Sequence, residues 1–533
     1  MPRLLGDFAF AAWDARARRL VLARDAMGGV PLFYHLADGF IAFATDYPGL
    51  FAAPDVPRQL DAAALGDYLV LNHRRSEETF YAGVRRVPSG ALAIVEGGRL
   101  RLQQHWAPNV RAPARRGKLA DIIAEARDLL DQAVAARLRS LTPVAAEATG
   151  GLDSSAVAAT AARLLAPRRL HTLTLLPPPG LSVVPLRGHY PDEHDKVAAL
   201  GRMHANLDVE FLAPSQPHPN ETDPRRMFAL VGAPVRNPIN YGWFAHLRDR
   251  AAESGHRVLL TGQEGNFTLS WDGRLAPFEW FRSFRYDLLV PELLALKRRS
   301  GVTWRRVLAN SIVQHLEPKA VRRWRYARQP GMYFAWEPYS AVDARFAEMA
   351  GLLARSIAAG HEPSLGLPRS GRQARAEAIH AHHEHALDFA AFSPALHGVQ
   401  LRHPLRDRRL VEFTLSLPET LFSRNGVRRL FARQVLADRL PPQIIEEQRP
   451  GTQSPDWYER LTQRRDEIVT EAAALDRSAL ATRIVDTARV GRMADAWPTE
   501  ARADQRPGYA GMIAMDRALH LGRFIRWVEG AND

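Results

Sequence analysis

One short run of the chain carries residue types that can bind a phosphate. It consists of Thr149, Gly150, Gly151, Leu152, Asp153, Ser154 and Ser155. The two glycines let the backbone turn so that successive amide groups point at one spot. A helix predicted to begin near Ser154 adds its positive N-terminal end, and the hydroxyl groups add donors. Asp153 could hold a magnesium ion that neutralises pyrophosphate. The run therefore predicts a phosphate loop suited to pyrophosphate.

The same run has a plainer interpretation, which is a strand-to-helix turn capped by serine. In a chain of 533 residues, seven ordered positions arise by chance with a probability on the order of 10⁻⁴. This low probability favours the phosphate loop. A Walker loop is excluded because the lysine that would reach the terminal phosphates is missing.

The run resembles the SGGLDSS loop of the ATP pyrophosphatases, which cleave ATP between its α- and β-phosphates and leave AMP on an acyl or carbonyl oxygen. Further segments resemble the asparagine synthase family in that family's order: 6–14, 22–34, 192–193, 258–262, 402–407 and 440–444. The first two resemble the latter half of the family's N-terminal glutaminase domain. The resemblance covers nearly the whole chain.

The resemblance implies an α/β fold in two parts. Residues 1–110 would form an incomplete, β-rich glutaminase-like domain of the N-terminal nucleophile type. Residues 119–533 would form an ATP-dependent synthetase domain, similar to the adenine nucleotide α-hydrolases, with a parallel sheet and a helical C-terminal part. The cofactors that it implies are ATP and Mg²⁺.

The resemblance also assigns roles to single residues. Residues 149–155 would hold the pyrophosphate, with Asp153 acting both as a metal ligand and in catalysis. Leu173 and Leu175 would border the adenine. Gly262 would approach the nucleotide backbone to backbone.

Three residues depart from the family pattern. Asn266 stands where most relatives carry a second metal-binding Asp, and it can still offer a carbonyl oxygen to magnesium. Gln400 stands where many carry Glu; it cannot act as a base, so the general base stays unassigned. Arg449 stands where the synthetases carry a Lys thought to stabilise the tetrahedral intermediate. It keeps the cation as a planar fork suited to phosphate and would be catalytic. The alternative for Arg449 is a surface arginine at the end of a helix.

The absence of cysteine narrows the choice of family member. Glutamine-dependent asparagine synthetases release ammonia with an N-terminal cysteine, and this chain has no cysteine and starts where the family's domain is already under way. Whether the start is misplaced or the domain is degenerate, we expect no glutaminase activity. The attacking amine would then belong to the substrate, as in β-lactam synthetases and lasso peptide cyclases. Three segments resemble the proteobacterial lasso cyclases: 237–243, 260–273 and 449–457.

The implied reaction closes the macrolactam ring of a lasso precursor peptide. An Asp or Glu side chain of the peptide is adenylated, and the peptide's N-terminal amine attacks the adenylate. By resemblance, we expect a leader-binding protein and a cysteine protease as partners. The alternatives that stay open are an asparagine synthetase, a β-lactam synthetase-like ligase, an RNA-modifying ATP pyrophosphatase and a non-catalytic binding module.

The pattern of elements fits two parts. Short apolar runs broken by turns predict β-hairpins from Phe8 to Trp106. Residues 107–118 are basic and Pro-rich, which indicates a linker. Strands alternating with helices between Val144 and Leu260 predict a parallel sheet with helices on both faces. Beyond Trp280 the pattern predicts helices and no clean strand.

The net charge and the remaining residue clusters add little evidence about function. The net charge of +13 favours anionic partners. No apolar run reaches the ~18 residues of a membrane span, and no signal peptide is recognisable, so we expect a cytoplasmic protein. Basic and aromatic residues interleave in 297–299, 304–306 and 322–326, where arginines packing over tryptophans explain the pattern as well as a nucleic-acid surface does. A solvated helix face is favoured over a metal site for His380, His382, His383 and His385.

Overall fold

The computed structural model describes residues 3–72, 77–181, 189–190, 192–318, 320–321, 324, 336, 339–359, 370–381, 384–497 and 506–530.

The N-terminal part consists of two antiparallel sheets. Their strands are β1 Ala9–Asp14, β2 Arg19–Arg24, β3 Phe33–Ala37, β4 Phe40–Ala44, β5 Val84–Arg86, β6 Ala91–Glu96 and β7 Arg99–Gln104. One sheet has the order β1-β2-β6-β7 and the other β4-β3-β5. Leu22, Tyr34 and Ala93 are buried in one cluster to which both sheets contribute.

The predicted hairpins are confirmed, and the structure adds elements that the apolar pattern did not show. These are β5, β7 and two short helices, α1 (Tyr47–Phe51) and α2 (Ala62–Leu69). Both helices begin at an aspartate: Asp46 accepts a hydrogen bond from the amide of Gly49 at 2.6 Å, and Asp61 accepts one from the amide of Ala63 at 2.9 Å. Such caps satisfy amides that have no partner within a helix.

A five-stranded parallel sheet forms the centre of the second part. Its strands are β8 Val144–Glu147, β9 Leu170–Leu175, β10 Leu207–Leu212, β11 Val258–Leu260 and β12 Gln400–Arg402. Their order in the sheet is β10-β9-β8-β11-β12. The predicted parallel sheet is confirmed. The expectation of no strand beyond Trp280 is wrong, because β12 pairs with β11, with Leu401 opposite Leu259. A strand of three residues is too short to show a period.

Helices cover both faces of this sheet. They are α3 Leu119–Arg137, α4 Leu152–Leu165, α5 His194–Met203, α6 Pro219–Thr222, α7 Arg225–Val231 and α8 Pro238–Glu253. Ala146 of β8 packs in the cluster that contains α3 and α4. Its neighbour Ala145 packs with Leu247 of α8 in a separate cluster. Successive residues of a strand point to opposite faces, so the sheet is buried on both sides. Residues 107–118 lie outside helices and strands.

The rest of the described chain is mainly helical. Its helices are Ala276–Arg282, Tyr286–Ser300, Trp304–Leu308, Gln314–Leu316, Ala344–Met349, Leu352–Ala358, Gly371–Ala381, Glu384–Ala391, Ser393–His397, Arg408–Ser416, Leu430–Leu436, Pro442–Ile445, Trp457–Gln463, Arg465–Ala474, Ala479–Ile484, Thr487–Asp495 and Arg506–Glu529. A small hairpin pairs β13 (Ser423–Arg424) with β14 (Val427–Arg428). Phe33 and Tyr47 share a buried cluster with Phe228 and Phe524, so the N-terminal sheets pack on the helical part.

Among the residues described, we find no helix whose length and apolar character would let it cross a membrane.

Candidate active site

The predicted phosphate loop lies at the carboxyl end of β8, the middle strand of the parallel sheet. Gly150 has φ +59°, in the left-handed region that favours glycine. A Cβ at this position would lie 2.9 Å from the Cβ of Lys196 in α5. Gly151 caps α4, and no side chain bonds to the cap. Ligands of parallel α/β sheets bind at this edge, so the loop occupies the position where an anion would be expected.

Helix α4 begins two residues earlier than expected. The sequence placed its start near Ser154, whereas the structure has it at Leu152. Asp153, Ser154 and Ser155 therefore all lie in the first turn. The Ser154 Oγ accepts a hydrogen bond from the Thr149 amide at 3.0 Å and lies 2.7 Å from the Thr149 Oγ1. These contacts close the loop on itself, while the Ser155 Oγ is buried and has no partner within the described chain.

Asp153 is the carboxylate within the loop, and one of its oxygens lacks a partner. Its Oδ1 is buried and accepts no hydrogen bond from any described residue. Burial raises the pKa of Asp153, and the charge of Arg429 and the nearby Ser270 hydroxyl oppose this rise. The Ser270 Oγ is itself buried without a hydrogen-bond partner among the described residues. A buried carboxylate oxygen without a donor is costly unless a cation or donor occupies the space beside it. The oxygen therefore fits the magnesium role that the sequence predicted.

The segment after β11 packs directly on this turn. A Cβ at Gly262 would overlap the amide nitrogen of Ser154, and a Cβ at Gly265 would overlap the carboxylate of Asp153. Asn266 follows in the 3₁₀ turn Gly265–Phe267, with its side chain exposed. Gly262 and Asn266 thus lie on a segment that touches Asp153, and an asparagine carbonyl oxygen suits magnesium.

A chain of charged side chains lies beside the loop. The Lys196 Nζ is 3.0 Å from Glu447 Oε2, and Arg449 contacts both oxygens of Glu447, at 2.9 and 2.8 Å. The Arg449 side chain is 58% exposed. The hydrogen bonds from Arg449, followed by those from Lys196, lower the pKa of Glu447 to about 2. Glu447 therefore stays ionised and joins Arg449 to Lys196, the residue that packs against Gly150.

Sequence analysis did not identify Lys196 or Glu447 as candidate site residues. Lys196 lies on the helix that follows the Asp192–Glu193 match, one turn further on, and this spacing was the available signal. Burial lowers the pKa of Lys196, and its Nζ lies 2.9 Å from the centre of the Tyr190 ring. Glu447 had no local signal, since its role depends on contacts made across the fold.

Leu173 and Leu175, the predicted adenine neighbours, are buried at the end of β9. Both belong to the cluster on the α8 face of the sheet. Gln400 is not part of this site. It lies opposite Val258, which lies opposite Val144, the first residue of β8. Gln400 is thus at the amino edge of the sheet, away from the loop. The presence of Gln instead of Glu at position 400 therefore does not bear on which residue is the general base.

A second carboxylate without a partner lies in the segment after β11. Glu264 has φ +71°, which is unusual for a residue other than glycine. Its Oε2 is buried without a hydrogen bond from any described residue. Burial raises the pKa of Glu264, and Arg406 and Arg236 oppose this rise. Sequence reasoning gave no signal for Glu264.

Two histidines and an aspartate also lie close enough for a metal, but their hydrogen bonds use the ligand atoms. His218, Asp249 and His397 form this cluster. The Nδ1 of His218 accepts the amide of Asn220 at 3.1 Å, so its proton is on Nε2, which donates to Asp249 at 2.7 Å. A metal on Nε2 would require the opposite tautomer. The side chains of the predicted cluster at 380–385 lie outside the described residues.

Comparison with known sequences identifies the family of the chain. The asparagine synthase family model matches residues 125–516, and the glutamine amidotransferase domain model matches residues 1–106. The chain belongs to the asparagine synthase family. This confirms the predicted α/β fold, a β-rich glutaminase-like part followed by a synthetase part with a parallel sheet. The family uses ATP.

Curated relatives match a shorter stretch. An asparagine synthetase [glutamine-hydrolyzing] 3 of Bacillus subtilis is 34% identical over 164 residues, 30% of this chain and 26% of that protein. A putative asparagine synthetase of Mycobacterium tuberculosis is 34% identical over 169 residues, 31% and 26% of the two chains. The amidase chyE of Penicillium rubens is 32% identical over 169 residues, 31% and 24%. The match thus spans about a quarter of each relative's length.

Proposed function

We propose that the protein is an ATP-dependent, AMP-forming carbon–nitrogen ligase that closes the macrolactam ring of a lasso precursor peptide. The observation that carries the nucleotide part is the buried, unpartnered oxygen of Asp153 in the glycine loop at the carboxyl end of β8. Membership of the asparagine synthase family supports the ligase chemistry. The finer assignment to ring closure rests on the resemblance of segments 237–243, 260–273 and 449–457 to lasso cyclases.

The proposed reaction has two steps. A side-chain carboxylate oxygen of the peptide attacks the α-phosphorus of ATP, and pyrophosphate leaves. The N-terminal amine of the peptide then attacks the acyl carbon and loses a proton, and AMP leaves with the electron pair of the broken carbon–oxygen bond. Both steps need charge neutralisation and close positioning more than covalent help from the protein.

The described residues have distinct parts in this scheme. Amides of residues 149–155 would bind the leaving pyrophosphate, and Lys196 and Arg449 would balance its charge. Asp153 and Asn266 would hold Mg²⁺, which supplies further positive charge to the phosphates when bound. Burial on the α8 side of the sheet would keep water from the adenylate.

Asparagine synthesis is the second candidate, because curated relatives carry that name. The two candidates differ in the acceptor of AMP. In ring closure both the carboxylate and the amine belong to one peptide, whereas in asparagine synthesis they belong to aspartate and ammonia.

The formation of labelled AMP with different acceptors distinguishes ring closure from asparagine synthesis. The purified protein is supplied with Mg²⁺, ATP labelled at the α-phosphate and one of three acceptors. These are a candidate precursor peptide with an Asp or Glu side chain, aspartate with ammonium, or neither. A leader-binding protein and a cysteine protease, which the resemblance implies, are added with the peptide to free its N-terminal amine. We expect AMP only with the peptide, together with loss of one water from the peptide mass. The Asp153→Asn variant should form no AMP because it loses the charge that holds the metal.

Other outcomes would contradict the proposal. Formation of ADP would remove the AMP-forming mechanism. AMP that appears only with aspartate and ammonium would replace ring closure by asparagine synthesis. An Asp153→Asn variant as active as the unmodified protein would remove the assigned loop.

A further inference from the structure

The helix Tyr286–Ser300 is apolar on two opposite faces, and the described chain covers only one of them. The inner face packs through Leu293 in a small cluster with neighbouring helices. Tyr286, Val290 and Leu294 lie on the outer face, where they are 50, 50 and 40% exposed. A helix at the surface of a globular protein normally has one apolar face. The second apolar face therefore indicates a contact with another molecule.

The three exposed side chains form a continuous row, the outer stripe (Tyr286, Val290 and Leu294). Residues four apart in a helix lie one above the other on the same face. At a rise of about 1.5 Å per residue, the row is about 12 Å long. A second helix that packs in a groove presents apolar side chains at i, i+3, i+4 and i+7, which is a row of similar length. The outer stripe thus has the dimensions of a contact with one helix.

Four cations lie beside the outer stripe or on the following helix. Lys297 and Arg298 come three and four residues after Leu294, so they extend the stripe at its C-terminal end. Arg305 and Arg306 lie in the first turn of the following helix, where the helix dipole disfavours a cation. None of the four forms an ion pair with a described residue. Their charges are therefore available to an acidic partner.

The following helix, Trp304–Leu308, repeats this arrangement. Val307 is buried in the same small cluster, whereas Trp304 and Leu308, four residues apart, are exposed. No described arginine lies over the Trp304 ring. The packing of arginine over tryptophan, which the sequence left open for this segment, is thus not seen at Trp304.

Charge distinguishes the molecules that could cover this surface. In a symmetric dimer the same patch meets itself, so the four cations of each copy would repel one another in a chain that already carries a net charge of +13. The nearby segment 319–335 is also basic and contains no acidic residue. Nucleic acid would neutralise the cations, but its phosphates would not cover the apolar stripe. A helix with one apolar row and acidic flanks matches both features.

We propose that the outer stripe and the four cations bind an acidic amphipathic helix of another polypeptide. Its apolar row would pack on Val290 and Leu294, and its carboxylates would pair with Lys297, Arg298 and the two arginines of the following helix. The inference does not depend on the proposed nucleotide chemistry, because none of these residues belongs to the candidate active site.

Binding of three labelled synthetic peptides of equal length tests this surface. The first peptide is an amphipathic helix of Leu and Glu, the second has the same composition in an order that destroys the apolar row, and the third has Lys in place of Glu. Fluorescence anisotropy measures their affinities for the full chain at low and at high ionic strength. Two further assays use vesicles with and without anionic lipid, and sedimentation of the protein without peptide.

Two variants are compared with two matched controls. Val290→Ser removes an apolar contact, and Arg298→Glu reverses one charge. The controls are Val469→Ser, at a valine that is 40% exposed elsewhere, and Arg483→Glu, at an exposed arginine that forms no ion pair with a described residue. All four positions are exposed, so thermal unfolding should show that each variant folds like the unmodified protein.

The acidic amphipathic peptide should bind the unmodified protein and both controls about tenfold or more tightly than either of the other peptides. Val290→Ser and Arg298→Glu should each weaken this binding about tenfold, which corresponds to the loss of one apolar contact or one charge pair. High ionic strength should weaken the binding of Val290→Ser as it does that of the unmodified protein, and it should affect Arg298→Glu less.

Four results would overturn the inference. Absence of binding by the acidic amphipathic peptide, or unchanged affinity in both folded variants, would show that the surface does not bind such a helix. Equal binding of the reordered peptide would show that net charge alone attracts it. Vesicle binding that is lost in Val290→Ser would assign the surface to a membrane. A dimer that is lost in the same variant would assign it to a second copy of the chain.

Discussion

At the scale of single residues, three buried oxygens without a partner lie in the first turn of α4 and in the segment that packs on it. They are Asp153 Oδ1, Ser155 Oγ and Glu264 Oε2. Because folded proteins satisfy more than about 90% of such groups, these three oxygens fit a loop that binds a cation or another donor. Sequence predicted Asp153 and Ser155 from one contiguous motif. It did not predict Glu264, Lys196 or Glu447, because their significance arises only when distant segments meet.

Arg449 can be tested as a single charge. If Arg449 acts as proposed, we expect AMP formation to fall about 100-fold or more in Arg449→Ala, because the variant would lose a cation that balances the charge of the phosphates. The melting temperature should change little, since a pair with an exposed arginine contributes about 0–1 kcal/mol. The pKa of Glu447 is about 2, below the ordinary 4.5. The pair's contribution is therefore full above pH 4.5, is lost only as the pH falls toward 2, and cannot alter rates between pH 6 and 9.

The chain offers a matched control for this variant. Arg285 also donates two hydrogen bonds, at 2.8 and 2.7 Å, to an aspartate two residues away, and its side chain is 53% exposed. Arg285→Ala should melt and react like the unmodified protein. Equal activity of Arg449→Ala and Arg285→Ala would mean that Arg449 is an ordinary surface arginine.

At the scale of elements, the predicted phosphate loop is packed between two neighbouring segments. Lys196 of α5 packs against Gly150 on one side, and the segment after β11 packs through Gly262 on the backbone of α4 on the other. The sequence predicted the strand, loop and helix because their motif and their apolar periods are local. It missed β12 because three residues show no period, and it misplaced the start of α4 because a glycine cap leaves no side-chain signal.

The close packing of Gly262 makes it sensitive to one added methyl group. In Gly262→Ala the methyl would overlap the amide of Ser154, so the first turn of α4 must shift. We expect a loss of stability of about 1–3 kcal/mol and weaker ATP binding, measured by thermal unfolding and by titration. Gly491→Ala is the control, because Gly491 lies within a helix with open space around its Cα; this variant should be as stable as the unmodified protein or slightly more stable. Wild-type ATP binding by Gly262→Ala would contradict the close contact.

At the scale of the whole molecule, the N-terminal sheets and the helical part are joined by buried charges. Asp388, in helix Glu384–Ala391, lies 3.0 Å from Arg24 of β2 and 2.5 Å from Arg86 of β5. All three side chains are at most 3% exposed. Sequence analysis predicted two parts separated near residues 107–118, and this boundary stays a prediction. It could not predict the contact between the parts, since Arg24 and Asp388 are 364 residues apart.

Removal of Asp388 would test whether the two parts unfold together. Asp388→Ala leaves two buried guanidinium groups without their carboxylate, which costs about 3–5 kcal/mol. We expect a lower melting temperature and faster tryptic cleavage within 107–118, because separation of the parts exposes the basic segment. Asp208→Ala is the control, since the Asp208 and Arg169 side chains are 61% and 63% exposed at 3.1 Å, and it should match the unmodified protein in both measurements. If Asp388→Ala melts in two transitions, the N-terminal part keeps its fold alone. A single transition at a lower temperature means that the two parts unfold as one cooperative unit. An unchanged melting temperature would contradict the role of the buried charges in joining the parts.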